Sequence, residues 1–271
     1  MSIIICGCVK NCEKYLDSVF ENINIISKKY NVLQIVLSFD LSSDKTLIKL
    51  IKLKKINNKI HIIINKNPLT NSRTQNISNA RNKILNYIRN LTIKPDYFLM
   101  MDFDDVCSKK INMNVLNKSF EIKDKWDCIS FNNEQYYDYW ALSFDEYIFS
   151  CWHTNKPREI IKKMHEKFKT KCKNKEYILC DSAFNGFAIY KTNIFIDINY
   201  KSIVDFNIFD QTKLKKFKKN NNILINNNSF YDCEHRYFHF QAKKKNNARI
   251  LLLNKNLFPK YSGEHARFLY N

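Results

Sequence analysis

Nowhere in these 271 residues does an apolar run approach the roughly 18 residues a membrane-crossing helix needs, which excludes helical spans. The N-terminal apolar stretch, residues 3–9, is too short for a secretory signal and has no basic leader, so a strand is expected there. A cytosol-like compartment follows as the expected setting. Glycine is scarce, with three in the whole chain, so each position carries information. Cys6, Cys8 and Cys12 form a C-x-C-x₃-C run, but no second close pair of Cys or His accompanies it, as a tetrahedral zinc site would require. Nine cysteines without a secretory signal read as free thiols rather than a disulfide framework. No internal repeat and no interdomain linker stand out.

Acidic residues are in deficit, and the formal net charge is +19. Such a balance suits nucleic acid, anionic surfaces or phosphorylated ligands. The lysines travel with abundant Asn and Ile, however, a bias of AT-rich coding sequence that fills a surface with lysine to no binding purpose. With 45% hydrophobic residues, a chain of this length buries a substantial core. One α/β domain over residues 1–271 is expected.

The first half alternates. Residues 3–9, 33–39, 60–64 and 97–101 have the apolar character of strands, and residues 15–29, 46–54 and 77–90 have helical spacing between them. That order predicts a mainly parallel sheet flanked by helices, with ligands beyond the carboxyl ends of the strands. The polar turn 40–44 and the acidic run Asp102-Phe103-Asp104-Asp105 both fall at that edge. The second half is read as irregular: strands at 126–132 and 184–190, an aromatic-rich segment at 136–142, a basic helical stretch at 157–175, and a mobile Lys/Asn-rich loop or hairpin at 213–228.

Carboxylates packed within four residues repel one another unless a cation or basic group compensates. A strand-end loop brings alternate side chains, Asp102 and Asp104, within reach of one ion, and hard oxygen ligands suit Mg²⁺ or Mn²⁺ with a bound phosphate. A solvated acidic turn or a helix N-cap is the structural alternative.

Four segments in this order resemble the GT-A glycosyltransferases, especially family-2-like enzymes and fungal capsule mannosyltransferases, with similar predicted enzymes of giant viruses. They are residues 36–46, Arg73-Thr74 with Ile77 and Ala80-Arg81-Asn82, the acidic run itself, and Cys233-Glu234-His235 with His239. The resemblance implies a GT-A, Rossmann-like sheet. Residues 1–105 would bind the nucleotide sugar, and 106–271 would form an irregular acceptor side. It implies that Asp40, Arg73, Arg81, Asp102 and Asp104 hold a UDP- or GDP-linked donor, with Asp102, Asp104 and His235 on Mn²⁺ or Mg²⁺. Asp40 is equally well read as a turn cap, Arg73 and Arg81 as surface ion pairs, and His235 as an ordinary hydrogen-bonded histidine.

The resemblance further implies catalytic work for Glu234, as the base that deprotonates an acceptor hydroxyl. The chain has Glu-His here, where family-2-like enzymes usually have Glu-Asp. Asp181 and Asp138 compete with it. Asn185-Gly186 stands where the family often has two glycines in its acceptor loop, and Tyr137, Trp140 and their aromatic neighbours suit either a floor for a sugar ring or core packing. The implied partners are a nucleotide sugar and a glycan or glycoprotein acceptor, in a cytoplasm (the host's, for a viral protein). Two other functions fit parts of the pattern. One is a basic nucleic-acid-binding protein, or a metal-dependent nuclease. The other is a sugar-binding module of the same fold without turnover.

Overall fold

The computed structural model describes residues 1–67, 69–133, 136–220 and 231–259. The alternation of the first half is present as expected: β1 (Ser2–Val9), α1 (Leu16–Lys29), β2 (Asn31–Phe39), α2 (Thr46–Ile56), β3 (Ile60–Ile64), α3 (Arg73–Arg89) and β4 (Tyr97–Met101). The second half holds strands within 126–132 and 184–191 and a helix within 157–175, close to where they were expected, together with elements that were not foreseen. It contains α4 (Met113–Glu121), β5 (Cys128–Asn132), α5 (Pro157–Cys172), β6 (Tyr177–Cys180), β7 (Phe187–Lys191), α6 (Thr192–Phe195), α7 (Gln211–Asn220), α8 (Glu234–Asn246) and β8 (Ile250–Asn256).

These strands join one sheet in the order β3-β2-β1-β4-β7-β5-β8-β6. The pairs β2/β3, β1/β2 and β1/β4 are parallel, as is β5/β8. β7 runs antiparallel to both β4 and β5, and β6 antiparallel to β8. Only β6 and β7 are therefore reversed, and the sheet is mainly parallel. Because β7 runs backwards between β4 and β5, its first residue, Phe187, pairs with Met101, the last of β4. The turn that leads into β7 thus sits beside the acidic run.

Side chains of a strand alternate between faces, and the two faces carry separate cores. One takes Ile4, Phe98 and Met100 with Ile84 of α3, Phe168 of α5 and Phe238 of α8. The other takes Ile3, Ile5 and Leu99 with Val19 and Ile23 of α1 and Leu116 of α4. The helices follow from local chemistry. α1 buries Leu16, Val19, Phe20 and Ile23, the i, i+3, i+4, i+7 stripe. Ser72 caps α3 by accepting from the Gln75 N–H at 3.3 Å. Among the described residues no helix is long and apolar enough to cross a membrane.

One reading of the second half is corrected. Residues 213–220, expected within a mobile loop or hairpin, belong to α7, whose Leu214 and Phe217 are buried three residues apart. Residues 221–228 of that segment lie outside the described residues. α8 was hidden because its sequence, EHRYFHFQ, is polar where the structure buries it: Glu234, His235, Arg236 and His239 are all buried. Pairing among those groups, rather than apolar surface, makes that burial tolerable.

Candidate functional site

Parallel strands deliver the loops that follow them to one edge of the sheet. Asp40 follows β2, and Asp102 and Asp104 follow β4; all three line one cleft of about 540 Å³. Arg73 and Arg81 of α3 line it too, as do Glu234 and His235 at the start of α8. Tyr137, Asp138 and Trp140, from the segment after β5, form a further wall. Asn185 and Gly186 do not line it, and neither does Asp181.

The acidic run is held from several sides. Gly186 accepts from the Asp102 N–H at 2.9 Å, which ties the run to the turn entering β7. The Tyr137 hydroxyl donates to Asp102 Oδ2 at 3.2 Å, while Arg81 Nη2 lies 3.5 Å from Oδ1. Asp104 Oδ1 accepts from the Val106 N–H at 3.0 Å and so also caps a short 3-10 turn, Asp105–Cys107. Metal ligation and N-capping, alternatives on sequence alone, are thus compatible at Asp104. Asp40 Oδ1 accepts from the Asn65 amide at 2.8 Å.

Arg81 is the buried hub. Its guanidinium pairs with the Glu234 carboxylate and contacts His235 Nε2, with the Phe184 ring centroid 4.8 Å away. Burial disfavours its charge, but Glu234 and the other anionic neighbours outweigh that and raise its pKa. Burial raises the Glu234 carboxyl from its ordinary value, against the pull of Arg81. His235 is driven well below an ordinary imidazole, by burial first and then by Arg81 and His239, so it is neutral.

Asp138 differs from Glu234 in its partners. Its carboxylate accepts from two backbone groups, the Ala141 N–H at 3.1 Å and the Asn185 N–H at 3.4 Å. Burial, with Asp102 and Glu234 adding to it, pushes its pKa up to about 6 despite those bonds. Trp140 donates its indole N–H to Asp232 Oδ1 at 3.2 Å.

The remaining expected residues have other placements. Asp181 is ion-paired with Lys213 at 3.2 Å and Lys243 at 3.0 Å, so the structure does not bring it to the cleft. Asn185 and Gly186 are buried in the left-handed region, at φ 56° and +84°. They act behind the cleft wall: Gly186 fixes Asp102, and Asn185 donates its N–H to Asp138. Sequence reasoning missed Lys10, at the end of β1, and Phe184, which stacks on His235 at 3.7 Å between centroids. The strand-end rule that found Asp40 and Asp102 applies equally to Lys10. Phe184 was read as the start of a strand at 184–190, whereas β7 begins at Phe187 and leaves Phe184 in the turn before it.

Asp102 and Asp104 fit Mg²⁺ or Mn²⁺, which take one or two carboxylates and fill the rest of their shell with waters and phosphate oxygens. His235, the expected third ligand, has both ring nitrogens beside protein groups. Arg81 only donates, so His235 Nε2 accepts from it, while Nδ1 lies 3.4 Å from the Tyr190 hydroxyl. Among the described residues no three His, Cys, Asp or Glu side chains gather to hold a metal ion. Cys8, which lines the cleft, offers no thiolate near neutrality, because burial pushes its thiol up to about 12.

No family model matches the chain, and no curated protein sequence matches it. Solved structures similar in shape include S. aureus TarS 1-349 in complex with UDP-GlcNAc, at TM-score 0.48 and 16% identity over 100% of this chain and 62% of that one. Glucosyl-3-phosphoglycerate synthase from Mycobacterium tuberculosis, in complex with Mn²⁺, UDP and phosphoglyceric acid, matches at 0.43 and 10% over 72% of this chain and 57% of that one. The mannosyltransferase PcManGT from Pyrobaculum calidifontis, with GDP-Man and Mn²⁺, matches at 0.40 and 9% over 72% and 48%. The chain thus spans less than two thirds of the length of each.

Proposed function

We propose that this chain is a metal-dependent glycosyltransferase of the GT-A kind, moving a sugar from a UDP- or GDP-linked donor to a hydroxyl of a glycan or glycoprotein. The observation that carries the reading is the convergence in one cleft of Asp40, Asp102 and Asp104 from two strand ends with Arg73 and Arg81 from one helix. Paired carboxylates suit a divalent ion, forked guanidinium donors suit phosphate oxygens, and a further strand-end acid suits ribose or base.

In this reading Asp102 and Asp104 hold Mn²⁺ or Mg²⁺. The ion supplies positive charge where the departing nucleoside diphosphate gains negative charge. Arg73, exposed at the cleft, binds phosphate oxygens directly. Arg81 adds its field from inside and, with Tyr137, fixes the Asp102 carboxylate. Asp138 takes the acceptor's proton as the acceptor oxygen bonds to the sugar's anomeric carbon. The carbon–phosphate-oxygen bond breaks, and its electron pair leaves with the diphosphate. Asp138 is preferred to Glu234 because Glu234 is committed to Arg81, whereas Asp138 has a pKa of about 6, close to working pH. Trp140 provides a face for the sugar.

The nucleic-acid reading has less support. The basic residues lining the cleft are Lys10, Arg73 and Arg81, and the lysines of α5 and α7 are not among its lining. The cysteines are free thiols, in keeping with a cytoplasmic site of action.

Calorimetric titration with UDP and with GDP, each with and without Mn²⁺ or Mg²⁺, tests the proposal. One nucleotide is expected to bind only with metal, and Asp104→Asn is expected to abolish that metal-dependent binding. Unchanged metal-dependent binding by both Asp102→Asn and Asp104→Asn would refute it.

A further inference from the structure

The wall that carries Trp140 continues beyond the cleft. Trp140 is anchored through Asp232, which accepts from Arg236 Nε at 2.9 Å, and Arg236 is fully buried. Trp152 packs edge-on against Trp140, with ring centroids 6.5 Å apart at 71°. It is 45% exposed, whereas Trp126 is wholly buried. Tyr231 (46% exposed) and Ile203 (49% exposed) stand beside His153, the residue that follows Trp152. They face one another in an antiparallel bridge, and His153 Nε2 donates to the Tyr231 carbonyl at 2.9 Å. The Trp152 N–H is in turn held by Ser150 Oγ at 3.3 Å. Large apolar side chains clustered in water mark contact surfaces more often than chance exposure.

We propose that Trp152, with Tyr231 and Ile203, forms a second sugar subsite, where a pyranose ring of an oligosaccharide acceptor lies one unit outward from the ring on Trp140. The inference rests on the glycosyl-transfer reading of the cleft and deepens it: the acceptor is a glycan chain rather than a small alcohol. Continuity with the cleft carries the argument, since the exposed indole of Trp152 touches the indole that lines it. A pyranose presents an apolar C–H face ringed by hydroxyls. It therefore matches a flat aromatic surface that has polar groups only at its edges, such as the phenol of Tyr231 and the indole N–H of Trp152. The backbone ties at Ser150, His153 and Tyr231 fix the platform in advance, which limits the ordering that binding requires.

The test is calorimetric titration with mono-, tri- and tetrasaccharides of glucose, mannose and N-acetylglucosamine, alongside UDP or GDP with Mn²⁺. One trisaccharide series is expected to bind more tightly than its monosaccharide. Trp152→Ala is expected to weaken that binding about tenfold, and Trp152→Phe to keep most of it. Urea unfolding and nucleotide binding measured on the same Trp152→Ala preparation check that fold and donor site stand, and Tyr231→Ala, at a residue 46% exposed, gives an independent reading. The proposal is overturned if no oligosaccharide binds, or if both alanine variants bind sugar as the unaltered protein does. Trp152-dependent binding to phosphatidylserine vesicles in place of sugar also overturns it. Trp152-dependent sugar binding without any metal–nucleotide binding leaves the subsite standing and removes the donor reading instead.

Discussion

The Arg81 guanidinium and the Glu234 carboxylate, 153 residues apart in the chain, form an ion pair inside the protein with 6% and 5% of their side chains exposed. Removing one partner of such a pair leaves a buried charge uncompensated, at a cost of about 3–5 kcal/mol. Glu234→Ala is therefore expected to lose about that much unfolding free energy in urea. The double variant with Arg81→Ala is expected to lose less than the sum of the single losses. Additive losses would show that the pair is not coupled.

The hydroxyl of Tyr137, in the cleft wall, donates to Asp102. Outer partners of metal ligands typically account for about 10–100-fold in metal affinity. Tyr137→Phe is expected to weaken Mn²⁺-dependent nucleotide binding within that range while changing stability by no more than about 1 kcal/mol. Calorimetry and urea unfolding on the same preparation separate the two effects. An unchanged metal affinity would place the hydroxyl outside the metal's support.

Gly186 holds φ at +84°, and a Cβ there would stand 2.4 Å from Val106 Cγ1 and 3.3 Å from the Tyr137 hydroxyl. Gly186→Ala is expected to cost about 1–3 kcal/mol, since the left-handed strain and the collision with Val106 add together. Gly186 also accepts from the Asp102 N–H, so nucleotide binding should fall with stability. A variant as stable as the parent would contradict the left-handed turn.

With Asp138 as the base, the ionised form is the active one, and its pKa of about 6 lies above the ordinary aspartate value near 3.9. The sign follows directly: activity is full above that pKa and falls tenfold per unit as pH drops below it. A kcat/KM profile of nucleotide-sugar consumption should show this acid limb near pH 6, and Asp138→Asn should remove the activity along with the limb. A limb near pH 4 would point to an ordinary exposed carboxylate.

The first half of the fold was legible because parallel strands buried on both faces are continuous apolar runs, as in β1 and β4, and because α1 carries a regular apolar stripe. Asp40 and Asp102 were legible for a related reason. A strand that ends in an acid places that acid at the sheet's carboxyl edge whatever the neighbouring strands do.

Only the tertiary structure decided the rest. Reversal of β7 between β4 and β5 set Gly186 beside Asp102, and no local pattern encodes which strands become neighbours. α8 has polar residues in positions that the fold buries, and their partners, such as Arg81 for Glu234, are remote in the chain. Asp181 and Asp138 look alike as letters. The fold gives one to Lys213 and Lys243 and leaves the other in the cleft wall under two backbone N–H groups. Residue type and periodicity identified the strands and helices of the first half, because those are short-range properties. Which carboxylate faces the cleft, and at what pKa, depends on burial and on charges brought together across the sheet.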